Sequence, residues 1–186
     1  RTGIQARLVD DHDIEVPRGE IGELIVRSDQ PWSMNAGYNG QPEATAAAWR
    51  NGWFHTGDLF RQDGDGNHFF VDRKKDTIRR RGENVSSFEV ENSVRQYPDV
   101  DEVAAVGVES EIAEQEVMVV VTSKPGCTVE PRALTEFLIP RYVRVVAQIP
   151  KTETNKIRKV YFRDQGITPD TWDRERAGIK LHRDKL

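Results

Sequence analysis

Two runs of this sequence are apolar almost without interruption: residues 101–108 (DEVAAVGV) and 115–122 (QEVMVVVT). A strand with one wet face alternates, whereas a strand covered on both faces reads as a continuous Val-rich run. A fold for the second half of the chain must therefore bury a sheet on both sides. Neighbouring segments can supply the cover. Residues 87–97 place Phe88, Val90, Val94 and Tyr97 near helical spacing, with Ser86 or Ser87 as N-cap and Glu89 or Glu91 in the first turn. Residues 76–81 suit a short strand, 131–138 begin a second helix, and 141–148 (RYVRVVAQ) alternate as a strand. Residues 168–176 read as a short charged helix capped by Thr168 or Asp170. The order β-α-β-β-α-β predicts a small α/β unit of about three strands. The second helix is short and Leu138 runs straight into Ile139-Pro140, which predicts a deletion or missing residues at that point.

The first half has a different rhythm. Residues 4–9 and 22–28 are short, β-rich and bounded by Gly, Pro and Asp. Residues 29–52 are loop-like with one short helical piece, PEATAAAW. Asp63-Gly64-Asp65-Gly66-Asn67 is a dense turn signal, which predicts a hairpin whose second strand is HFFVD. Charge shifts along the chain as well. Residues 1–72 carry 6 Lys/Arg against 12 Asp/Glu, whereas residues 73–186 carry 21 against 19. The shift predicts an α+β chain of two parts, a β-rich part over 1–73 and an α/β part over 74–186.

Composition narrows the class. With 37% hydrophobic and 31% charged residues in 186, the chain is globular in type. No apolar run approaches the roughly 20 residues of a membrane span. The start, RTGIQARLVDD, has no apolar signal segment, and a chain opening on Arg1 is not expected to begin at a natural N-terminus. The single cysteine, Cys127, excludes an internal disulfide and suits a cytoplasmic protein. It lies in a turn, with no activating base in view.

Several residues could carry chemistry. Asp58, in the Thr-Gly-Asp of GWFHTGDL (52–59), could accept two ribose hydroxyls from a tight turn, or be an ordinary turn residue. His55 reads as structural, and the four histidines show no metal-ligand spacing. Six cations fall between Arg73 and Arg81. They are either a solvated strand edge or a phosphate-recognition element. Nucleic-acid binding is disfavoured, because the chain is acidic overall and the run lacks interleaved aromatics. Gly82-Glu83-Asn84 could be a plain turn or a close approach to a ligand. Lys156, in PKTETNKIRK (150–159), could be solvated or could stabilise charge on a transferring phosphate.

Taken together, four segments decide between these readings: GELIVRS…GYNGQPEAT (22–45), GWFHTGDL, VDRKKDTIRRRGENVSSFEVE (71–91) and PKTETNKIRK. In this order they resemble the later signature motifs of the adenylate-forming superfamily, which holds acyl-CoA synthetases, luciferases and peptide-synthetase adenylation domains. The resemblance runs from about Gly22 to Lys159. It implies that Asp58 holds the ATP ribose and that Arg73 reaches the ribose and phosphates. Lys75 is then the hinge of a mobile small domain. Gly82, with Glu83 and Asn84, lines the pantetheine channel for coenzyme A. Lys156 is the adenylation lysine. No protein metal site is implied, and Mg2+ accompanies ATP.

ENVSSFEVEN is similar to the matching stretch of crotonobetaine/carnitine–CoA ligases, which favours the ligase branch. Two departures stand out: Asn155 where the family usually has Gly, and Ser87 where it often has Pro. The family's phosphate loop and acyl pocket have no counterpart in these residues. The expectation is thus the C-terminal part of a carboxylic acid–CoA ligase. It would work on a small carboxylic acid, ATP and CoA together with its own N-terminal domain, and be inactive alone. The rival expectation is a stand-alone module without catalysis, one that binds CoA or a nucleotide or complements a separate large domain.

Overall fold

The computed structural model describes residues 3–110, 114–137 and 140–179. In its first part, β1 (Ile4–Val9) pairs antiparallel with β2 (Ile21–Ser28). Helix α1 (Pro42–Ala48) and β3 (Trp49–Arg50) lead into the long strand β4 (Trp53–Gln62). The Asp63–Asn67 turn then returns the chain as β5 (His68–Arg73). Asp63 drives that turn, since its Oδ1 accepts the backbone N–H of Asp65 and of Asn67. The result is a five-stranded sheet in the order β1-β2-β4-β3, with β5 on β4. Its buried centre is small: Val9, Ile25 and Trp53. The Arg7 and Arg27 guanidiniums lie 4.9 and 4.5 Å from the Trp53 ring centroid, so cations complete the cover that aliphatic groups do not provide.

The chain separates into two compact units, Arg1–Lys75 and Asp76–Leu186. The second unit opens with a hairpin, β6 (Ile78–Arg80) and β7 (Glu83–Val85), followed by α2 (Ser87–Val94). Ser86 caps α2 by accepting the Glu89 N–H at 3.1 Å. The two apolar runs become β8 (Val100–Glu109) and β9 (Gln115–Ser123). Next come α3 (Pro131–Phe137), β10 (Tyr142–Val145), α4 (Lys159–Gln165) and β11 (Trp172–Asp173). The sheet order is β11-β10-β9-β8, with β9 and β10 parallel and the other pairs antiparallel. Alternate residues of β8 and β9 feed two cores. Val103, Ala105, Val119 and Val121 pack with Val94 of α2 and Leu134 of α3. Ala104, Val106, Met118 and Val120 pack with Ile149 and with Phe162 of α4. Both faces are covered, as the apolar runs require.

Three expectations are corrected. The tail helix over 168–176 is absent; Thr168–Thr171 is a hydrogen-bonded turn leading into β11. Asp170 there accepts Arg144 Nε at 2.9 Å, so its side chain fastens a strand instead of capping a helix. The helix lies earlier, at α4. The α/β sheet has four strands instead of three, because β11 adds an edge. Thr56-Gly57-Asp58 is part of β4 and not a free turn. The junction of Leu138 with Ile139 lies outside the described residues. Among the described residues no helix is long and apolar enough to cross a membrane.

Leu134 is fully buried, whereas Phe88 is 40% exposed. Leu134→Ala is expected to cost about 2–5 kcal/mol of stability, and Phe88→Ala less, because part of its ring is already in water. Denaturant unfolding of the two variants checks this.

Candidate functional site

Asp58 owes its position to a fault in the sheet. Glu23 pairs with Leu59 and Ile25 with His55, so Thr56, Gly57 and Asp58 oppose Leu24 alone. Such a bulge re-aims side chains without ending the strand. Gly57 takes φ +72°, a left-handed value that a residue with a Cβ reaches only with strain. The bulge is fastened at several points. Thr56 Oγ1 donates to the Leu24 carbonyl at 2.7 Å and accepts the Asp58 N–H at 3.1 Å. The Gly57 carbonyl accepts the Lys74 N–H at 2.8 Å.

Glu23 lies beneath the bulge. It is 4% exposed, and its Oε1 accepts the Gly57 N–H at 3.1 Å. Its Oε2 lies 2.9 Å from Lys74 Nζ, which also reaches Asp11 at 2.9 Å. His55 is buried beside it, its ring nitrogens 3.4 Å from Glu23 and 3.8 Å from Asp13. Arg50 closes the cluster on Asp13 at 3.0 Å. Burial pushes the Glu23 carboxyl up, but the Lys74 ammonium, with His55 and the Gly57 N–H, outweighs it and holds it below its ordinary range. Burial would lower Lys74; Asp11 and Glu23 instead hold it raised.

Above this base, Asp58 faces Arg73 across β4 and β5, with Oδ1 and Nε 3.6 Å apart. Both side chains remain well exposed. They open into a cleft of about 530 Å³ lined by Tyr38, Thr56, Gly57, Asp58, Arg73, Lys74 and Lys75. A carboxylate beside a guanidinium at an open cleft can accept paired hydroxyls and meet an anion at once. Asp58, Arg73 and Lys75 are thus brought together.

The other expected residues lie in the second unit. Arg81 and Gly82, at φ +52° and +82°, form the two-residue turn between β6 and β7. Glu83 and Asn84 belong to strand β7 rather than to a loop. Arg80 anchors the turn on the buried Glu116 at 2.8 Å. Lys156 is exposed on a loop closed by the Lys151–Ile157 bridge and by the Arg158 N–H on the Pro150 carbonyl at 2.9 Å. Asn155 takes φ +61°, the left-handed geometry that a glycine would otherwise provide. Lys74 belongs to the basic run, and Glu23 and Tyr38 to the first motif segment, but only the register of β2 against β4 puts Glu23 beneath the bulge.

Residues 89–156 match the family described as the AMP-binding enzyme C-terminal domain. Over 168 residues the chain is 42% identical to a long-chain-fatty-acid–CoA ligase of Escherichia coli O6:H1, covering 87% of this chain and 29% of that protein. A crotonobetaine/carnitine–CoA ligase of Salmonella paratyphi C is 32% identical over 164 residues, covering 83% and 32%. Among solved structures, ATP-bound MatB from Rhodopseudomonas palustris superposes with a TM-score of 0.77 at 29% identity, covering 88% and 34%. Residues 89–156 thus match an AMP-binding enzyme C-terminal domain, and the chain is similar to adenylate-forming enzymes over most of its own length. More narrowly, it matches the C-terminal part of acyl-CoA ligases and spans 29–32% of the length of these relatives.

The Glu23 network has a pH consequence. A carboxyl whose folded pKa is depressed stabilises the fold above its ordinary value, 4.5, and loses that stabilisation as pH falls through the lower folded value. The protection factor of the Gly57 amide, the intrinsic exchange rate divided by the observed rate at the same pH, is expected to fall through this acid window. In Glu23→Gln protection should be lower already at pH 7 and lose the acid step.

Proposed function

We propose that this segment works in a carboxylic acid–CoA ligase, the first unit holding nucleotide and the second acting as the mobile lid. The observation that carries the reading is the bulge-set Asp58 beside Arg73 at an open cleft. Asp58 accepts the ribose hydroxyls, and Arg73 reaches the ribose and phosphates. Lys75, the last residue of the first unit, is the hinge. In the first half-reaction a carboxylate oxygen attacks the α-phosphorus of ATP and pyrophosphate leaves. Lys156 stabilises the charge that develops. In the second, the CoA thiol attacks the acyl carbonyl and AMP leaves, with Gly82, Glu83 and Asn84 along the pantetheine. Hinge motion exchanges the two loops.

Among the described residues no group of three or more His, Cys, Asp or Glu is arranged to hold a metal ion. Mg2+ belongs with the ATP phosphates as part of the substrate. A cytoplasmic location suits a chain with one cysteine.

In the intact ligase, Lys156→Ala is expected to lower ATP–pyrophosphate exchange by on the order of 10²- to 10³-fold while sparing thioester formation from supplied acyl-AMP. Gly82→Leu should do the reverse, since a side chain at φ +82° strains the turn and occupies the channel. Equal loss of both half-reactions in either variant would refute the division of labour. The 186 residues alone should show no exchange; clear exchange would refute the need for a preceding domain.

A further inference from the structure

Helix α4 begins against its own electrostatics. Lys159 is its first residue, no side chain caps it, and no acid lies in its first turn. A cation at a helix N-terminus is unfavourable, because the unpaired N–H groups there are positive. A residue that breaks a local rule is held by something else. Here Lys159 Nζ donates to Ser87 Oγ at 2.8 Å and lies 2.7 Å from Glu91 Oε1. Ser87 is fully buried, Glu91 nearly so, and the Lys159 side chain is 16% exposed. Glu91 Oε1 also accepts the backbone N–H of Ala105 at 2.9 Å. Three elements therefore meet on one carboxylate: α2, edge strand β8 and the start of α4.

The loop bearing Lys156 ends where α4 begins. Its closing contacts are local: the Thr152 N–H on the Lys156 carbonyl at 2.8 Å, the Asn155 N–H on the Thr152 carbonyl at 2.9 Å, and the Lys156 N–H on Thr152 Oγ1 at 3.1 Å. Outside the loop, Lys151 pairs with Glu102 near its start, and Lys159 is the charged tether near its end. One turn further on, Arg163 binds Asp76, the first residue of the second unit, at 2.7 Å. Ser87 matters as well: a side chain without an acceptor there could not take the ammonium hydrogen bond.

We propose that Lys159 is a positioning residue for Lys156: anchored on Ser87 and Glu91, it fixes the loop that presents the adenylation lysine against α2. The proposal rests on the assignment of Lys156 above for its catalytic consequence, but its structural half stands apart. Lys159→Met leaves the Glu91 carboxylate buried without its cation; Lys159→Arg keeps a donor in reach. A Glu91→Gln/Lys159→Met double variant removes the isolated buried charge while leaving the tether cut.

The first measurement is hydrogen exchange of amides 152–158 in this chain. A charged hydrogen bond is worth enough that Lys159→Met should speed exchange there by about tenfold or more, with Lys159→Arg near wild type. Unchanged exchange in Lys159→Met overturns the proposal whatever the enzyme does. The second is the pair of half-reactions in the full-length ligase. Lys159→Met and the double variant should both lower ATP–pyrophosphate exchange by about tenfold while thioester formation from acyl-AMP holds, and Lys159→Arg should rescue. Equal loss of both half-reactions, or full adenylation in the double variant, overturns the positioning role. Full adenylation in Lys156→Ala would instead refute the function proposed for Lys156 and leave the exchange result standing.

Discussion

A carboxylate taken out of water must be paired, and this chain places three buried glutamates directly behind the segments assigned to chemistry. Glu23 holds the Gly57 N–H and Lys74 under the Asp58 bulge. Glu116 holds Arg80 at the root of the Arg81–Gly82 turn. Glu91 holds Lys159 at the foot of the Lys156 loop. Each glutamate is under a tenth exposed. Removing one partner of such a pair costs far more than the pair contributes, because the remaining charge stays buried. Segments that would otherwise fluctuate are therefore fixed by sites that tolerate little change. The groups in front of them are more open: Asp58 and Arg73 face each other at the cleft, and Lys156 is exposed on its loop.

The two units differ in how much of this burden falls on ion pairs. In the second unit, β8 and β9 are sealed on both faces; left-handed non-glycine residues occur in both units, at Arg81 and Asn155 in this one and at Asp13, Trp32 and Asn51 in the first. Left-handed φ at non-glycine residues costs about 1–2 kcal/mol each, and persists only where the surroundings over-determine it. In the first unit the buried apolar centre is three residues, so its ionic cluster and the Trp53 cation contacts carry a larger share of the specification. That unit should accordingly be the more sensitive of the two to pH and salt.

What could be read in the sequence depended on the range of the interaction. The apolar runs became β8 and β9 because burial on both faces leaves a local signature. Asp63–Asn67 became a hairpin because its turn chemistry is contained in five residues. Asn155 kept the left-handed geometry its side chain permits. Helix α4 leaves no local signature for the opposite reason: Lys159 opens it without a cap, and its partners Ser87 and Glu91 lie about seventy positions away. The tail turn at Thr168–Asp170 imitated a helix cap because Asp170 is polar and well placed, but its carboxylate is committed to Arg144. The bulge at Thr56–Asp58 resembles a turn in sequence because a left-handed glycine looks the same in both, and only pairing with β2 distinguishes them. Of the candidate site, Asp58, Arg73, Gly82 and Lys156 stand out in their motifs, whereas the place of the three glutamates behind them emerges only from the fold.

The same wiring constrains how two half-reactions could share one lid. The Arg81–Gly82 turn is tied through Arg80 to Glu116 on β9, and the Lys156 loop is tied through Lys159 to Glu91 on α2 and so to β8. Strands β8 and β9 are continuously paired from Val103 to Glu109. The two loops are therefore fixtures of a single sheet, and neither can advance or withdraw by itself without breaking a buried ion pair. On the proposed function, exchanging Lys156 for the Gly82 turn requires the whole second unit to rotate. The flexible element must then lie outside this sheet, where Lys75 ends the first unit. Asp76, held by Arg163 of α4, marks where the rigid body begins.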